Sequence, residues 1–163
     1  MAERWGRSWG GVEAWNEPET HFGGDLPAEQ YVTYAKALRC ALDQAGRPAA
    51  LVTGVFISGI LDWPFRHATA ASGLVGLGEV HSFHHYDLPE SIEYYVDCYR
   101  QWLGANGRQA LPLWLTEAGS HVTQPITRGS ADATPDRTRG MILLAKVVEA
   151  YAGGVARFFR SEE

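Results

Sequence analysis

Positive charge is scarce in this chain. Fourteen Lys and Arg stand against 19 Asp and Glu, a net charge of −5 over 163 residues, which argues against a surface built to bind nucleic acid. Cysteine is nearly absent. Cys40 and Cys98 are the only two; they fall in predicted helices of separate units and make no disulfide framework. No apolar run approaches the roughly 20 residues of a membrane span, so no membrane partner is expected. The start, "MAERWGRSWGG", has arginines but no apolar stretch behind them, so it does not read as a signal peptide. Localisation is left open. Low-complexity tracts, linkers and visible sequence repeats are also missing.

What remains is ordinary for a globular domain: 45% hydrophobic and 20% charged residues, with six Trp, seven Tyr and six Phe. The length suffices for one domain with a real core. The apolar pattern alternates in kind along the chain. Short β-type runs occupy residues 10–15, 49–57, 78–86, 110–117 and 155–159. Helical spacing fills the intervals: Tyr31, Tyr34, Ala35, Leu38 and Leu42 in the first, Ile92, Tyr95, Val96, Tyr99 and Leu103 in the third. A weaker helix with Pro64 in its first turn and a strong one over 136–154 complete the set. Strands alternating with helices in units of roughly 30 residues predict parallel βαβ connections. Residues 118–135 are a polar loop, long enough to be expected to serve function.

Two of the predicted strands end on a carboxylate. "AWNEPET" places Glu17 after the first strand, and "LWLTEAGS" places Glu117 at the end of the fourth. Active sites of α/β folds gather at the C-terminal ends of parallel strands. In a flat sheet, strands three places apart stand about 14 Å apart, so only a curved sheet would bring the two carboxylates together. Two facing carboxylates about 5 Å apart are the machinery of a retaining glycosidase.

These stretches resemble the clan A glycoside hydrolases, retaining (β/α)8-barrel enzymes that include cellulases, mannanases and β-xylosidases and so serve polysaccharide degradation. The resemblance rests on "WNEP", then "HHY", then "TEAG" in the clan's order, and covers nearly the whole chain as strands four to eight. It implies a single domain over residues 1–163, an α/β fold that is a partial TIM (β/α)8 barrel without strands one to three. It implies Glu17 as acid/base, Glu117 as nucleophile and Asn16 as the residue that binds the sugar 2-hydroxyl. Tyr86 would hydrogen-bond the nucleophile and His84 would line the site. The substrate would be an oligosaccharide or polysaccharide, with no cofactor and no metal. The alternative is a truncated, catalytically inactive barrel fragment with at most weak carbohydrate binding.

Other residues carry blander expectations. Glu13, inside the first strand, is either a buried polar group with partners or an edge residue facing water; the clan resemblance favours the buried role, with partners on strands outside this chain. His81, His84 and His85 look like a metal cluster, but strand alternation sends His84 to one face and His81 and His85 to the other. Trp15, Trp102 and Trp114 are expected in packing, and Trp63 is the better candidate for a sugar platform. Unpaired first and last strands, around Val12 and Val155, and a bare concave face are expected to promote self-association.

Overall fold

The computed structural model describes residues 9–46, 49–57, 64–119 and 134–160. Trp63 and most of the polar loop at 118–135 lie outside them. Five strands form one sheet: β1 (Gly11–Glu13), β2 (Ala50–Ile57), β3 (Val80–His85), β4 (Leu113–Ala118) and β5 (Arg157–Phe158). All neighbours pair in parallel and the spatial order is the chain order. Between them run α1 (Pro18–His21), α2 (Pro27–Gln44), α3 (Pro64–Ala71), α4 (Leu74–Leu77), α5 (Ile92–Ala105) and α6 (Thr134–Ala152). The single weak helix expected near Pro64 is two, interrupted at Gly73, whose φ of +95° suits a residue without a Cβ. The one-turn α1 was not expected. Cys40 and Cys98 are both free.

Helical spacing sets the core. Tyr31, Val32, Ala35 and Leu42 of α2 are buried, as are Ile92, Val96, Tyr99 and Leu103 of α5. They meet the outward face of the sheet, where Phe56, His81 and Phe83 touch the rings of Phe65, Tyr99 and Trp102. Burying each large apolar side chain here is worth roughly 2–3 kcal/mol.

The sheet curls into a half-barrel. A Cβ placed on Gly11 of β1 would stand 3.0 Å from the Trp114 ring of β4, three strands away. The Arg157 guanidinium of β5 lies 4.9 Å above that same ring. Trp114 therefore fills the concave side. Val52, Val80 and Ser82 point inward in register with Glu13 and Trp114, and all three are buried. The expectation of a bare concave face is thus corrected for the central strands, where Val52, Val80 and Ser82 are buried. Of the two readings of Glu13, the water-facing one holds. It is exposed and accepts a hydrogen bond from Ser82 Oγ at 3.0 Å.

The edge strands are only three and two residues long. On α6, Met141, Leu144, Val148 and Tyr151 are exposed, and their spacing of three, four and three residues puts them in one stripe.

Candidate functional site

Three strand ends converge at the C-terminal rim of the sheet. Glu17 follows β1, His84 lies in β3 and Glu117 in β4. His84 and Glu117 are register partners on adjacent strands. His84 is buried, 1% exposed, and its Nδ1 lies 2.9 Å from Glu17 Oε1 and 3.6 Å from Glu117 Oε2. Ligand atoms of the three residues all lie within 4.8 Å of one another. Curvature brings together two glutamates that a flat sheet would hold about 14 Å apart. The Tyr86 hydroxyl, just past β3, donates to Glu117 Oε1. Asn16 is exposed, one residue before Glu17.

The backbone at Glu17 is unusual. Its φ of 45° and ψ of 58° are left-handed, a conformation a non-glycine residue adopts rarely and at a cost of about 1–3 kcal/mol. Pro18 disfavours the right-handed alternative for the residue before it. The sharp turn is held by Thr20, whose N–H and Oγ1 both donate to Glu17 O at 3.0 Å. Strain of this kind collects where a side chain must be aimed.

Two ionisable groups, the half-buried Glu19 and the buried Lys146, brace the rim, and neither was singled out in the sequence. Glu19, on α1, accepts the N–H of Ile57 at the end of β2 through Oε1. Its Oε2 is buried without a partner. Burial pushes its carboxyl up to about 7, with the nearby Glu17 adding to the effect and Arg66 opposing it. Lys146, on α6, is fully buried. Its Nζ donates to His85 O at 3.1 Å and to Gly119 O at 2.5 Å, tying together the chain ends of β3 and β4. Burial pulls its ammonium down to about 8, with Asp87 opposing. No sequence signal marked Lys146 beyond a lone cation in an apolar helical run.

The three histidines of the β3 strand do not converge. His81 lies in the helix layer against Phe56, Tyr99 and Trp102, with neither ring nitrogen partnered. Burial, aided by Arg66 and Arg100, holds it neutral, down to about 3. His85 bonds Ser91 Oγ at 2.8 Å on the same outer side, and burial beside Lys146 pulls it down to about 4. Among the described residues, Glu17, His84 and Glu117 are instead the set that could hold a cation. Trp15 is not core: it is 42% exposed and packs edge-on against Phe22 and Tyr34.

No protein-family model matches this chain, and no curated protein is similar to it in sequence. Solved structures do share its fold. A glucosidase from Croceicoccus marinus superimposes with a TM-score of 0.69 at 16% identity, over 90% of this chain and 32% of that one. A 4-O-alpha-L-rhamnosyl-beta-D-glucuronidase from Fusarium oxysporum 12S, solved as a Rha-GlcA complex, gives 0.57 at 17% identity, over 94% and 37%. The chain spans about a third of the length of these two proteins. The likeness is one of fold: a glycosidase-like half-barrel.

Proposed function

We propose that this half-barrel carries the catalytic pair of a retaining O-glycosyl hydrolase, with an oligosaccharide or polysaccharide as substrate. The observation that carries the reading is the approach of Glu17 and Glu117. A carboxylate oxygen of each lies within 4.8 Å of one of the other, which supports the short separation of about 5 Å used in double displacement over the wider one of an inverting enzyme. That two solved proteins of the same fold are glycosidases supports it.

In this mechanism Glu117 attacks the anomeric carbon while Glu17 protonates the departing oxygen. The bond from carbon to the leaving oxygen breaks and a glycosyl ester to Glu117 forms. Glu17, now a carboxylate, takes a proton from water, which displaces Glu117 and restores both groups. Tyr86, donating to Glu117, would orient the attacking oxygen and favour its release as a carboxylate. His84 would hold the two glutamates at their working separation. Asn16 would contact the sugar 2-hydroxyl.

A second reading follows from the coverage of about a third of each neighbour: a carbohydrate-binding barrel piece without turnover. A panel of aryl glycosides, followed by proton NMR of the first-formed anomer, separates the two. Retained product supports double displacement, and inverted product refutes it. Saturable sugar binding with no product at any enzyme concentration supports the second reading.

A further inference from the structure

The sequence "NEPET" sets a second glutamate two residues after Glu17, and the structure gives it a specific task. The helix that carries it, α1, has four residues. One turn has no stability of its own, so what holds α1 in place must come from outside it. β1 pairs with β2 only as far as Val52, leaving the ladder on that side of β2 unfinished beyond it. Near its end β2 also bulges, with Gly54 at φ +97° and Val55 at φ 56°. There Glu19 reaches across and accepts the Ile57 N–H, a side-chain oxygen in place of a strand carbonyl. Ile57 is in register with His84. The bond thus links the turn that bears Glu17 to the strand position beside the histidine that Glu17 touches. Around the Glu19 carboxyl stand Glu17, Arg66, Tyr31 and Tyr99, and none of these supplies a hydrogen bond to its buried Oε2. A half-buried carboxylate with one oxygen left unpartnered is costly to keep, and its bond to Ile57 ties α1, which follows the strained, left-handed turn at Glu17, to β2.

We infer that Glu19 is the positioning residue for Glu17: by holding the Ile57 amide it pins α1 to the end of β2 and keeps the Glu17 carboxyl aimed at His84 and Glu117. The inference rests on the reading of Glu17 as the acid/base, but the geometry it predicts can be observed without turnover.

The test uses Glu19→Ala and Glu19→Gln in the 163-residue chain, with folding checked by circular dichroism. Gln keeps an oxygen for the Ile57 N–H and Ala does not. The spectroscopic readout is the His84 Nδ1 resonance, which reports its contact with Glu17, together with the Ile57 amide proton. Glu19→Ala should move both, and Glu19→Gln should leave His84 as in the parent. Where the parent turns over an aryl glycoside, Glu19→Ala should lower kcat tenfold to a hundredfold, the scale of a misplacement of about 1 Å, with little change in KM. Glu19→Gln should restore kcat. Should Glu19→Ala not fold, Glu19→Asp shortens the reach by one methylene and should shift the His84 signal in the same way. An unmoved His84 signal in Glu19→Ala, or in Glu19→Asp in its place, overturns the inference, as does a Gln variant no better than Ala. If the parent itself shows no turnover, the glycosidase reading fails while the His84 and Ile57 signals still decide the role of Glu19.

Discussion

Acid should unfold this protein through His81, and the effect can be calculated. The imidazole has no exposed surface, lies among Phe56, Tyr99 and Trp102, and is held neutral down to about 3 against an ordinary 6.5. The unfolded chain takes up a proton on this ring near 6.5 and the folded chain does not until about 3. Between those values the unfolded state binds more protons, so stability falls as pH falls. At about pH 4 the loss relative to neutral pH is roughly 3 kcal/mol, at 1.36 kcal/mol per pH unit below the unfolded pKa. The perturbation is His81→Leu, which keeps the volume and removes two unpartnered buried nitrogens. At neutral pH this variant should equal the parent or exceed it by about 1 kcal/mol. Among the described residues, two other groups with shifted values, His85 and Glu19, bear on the same range. His85, pulled down to about 4, reinforces the acid loss. Glu19, pushed up to about 7 from 4.5, opposes it, because its folded form prefers the proton and stability rises as pH falls through that window. Both are present in parent and variant alike, so the difference between the two isolates His81. Urea unfolding at several values from pH 4 to 8 should show the variant gaining on the parent by roughly 3 kcal/mol as pH falls. Parallel curves would mean that the ring titrates at its ordinary value, and the packing account of β3 would be wrong.

Gly54→Ala should lower stability by about 2–5 kcal/mol in urea unfolding, since the residue has a positive φ and the added Cβ would stand 2.6 Å from Ser82 O. A neutral result would deny the bulge its place in β2. Lys146→Met should cost about 1–3 kcal/mol, because two buried carbonyls lose their donor while the cost of burying an ammonium is relieved. The parent, but not this variant, should gain stability as pH rises from about 8 toward 10.5, where the folded chain has given up a proton that the unfolded chain still binds. Light scattering after size exclusion should show the 163-residue chain associating as concentration rises, and the α6 pair Met141→Lys with Leu144→Glu should abolish this. Association that survives the pair points to the short edge strands instead, and a strict monomer at every concentration refutes both routes.

The five strands were legible as short runs rich in apolar, aromatic or β-branched residues between Gly, Pro or polar stretches, most plainly in β2. That pattern depends on neighbours in sequence alone. Convergence of Glu17, His84, Tyr86 and Glu117 was legible from strand ends together with the family resemblance, and alternation correctly parted His84 from His81 and His85. Contacts between distant parts of the chain were not legible. Glu19 reads as a surface residue in a polar stretch, and its purpose appears only when Ile57, 38 positions on, comes within reach. Lys146 reads as a solvated cation until its helix docks over the ends of β3 and β4. Trp114 looks like general packing, yet it fills the concave face because Gly11 leaves room for it. The sequence left Glu13 either buried or facing water; it is exposed, and its carboxylate accepts a bond from Ser82, an ordinary serine in the sequence.

The division of labour proposed for Glu17 and Glu117 is tested most directly by azide rescue. Glu17→Ala should still form the glycosyl ester from an aryl glycoside whose leaving group needs little protonation, and should then stall because no base activates water. Azide needs no base, so it should restore turnover and give a glycosyl azide of retained configuration. Glu117→Ala should give no retained product with any substrate, and any azide adduct it forms should be inverted. The experiment applies to this chain and to any longer reading frame that contains it. Retained azide product from Glu117→Ala with inverted product from Glu17→Ala would reverse the two roles, and indifference of both variants to azide in an active parent would contradict the double-displacement mechanism itself.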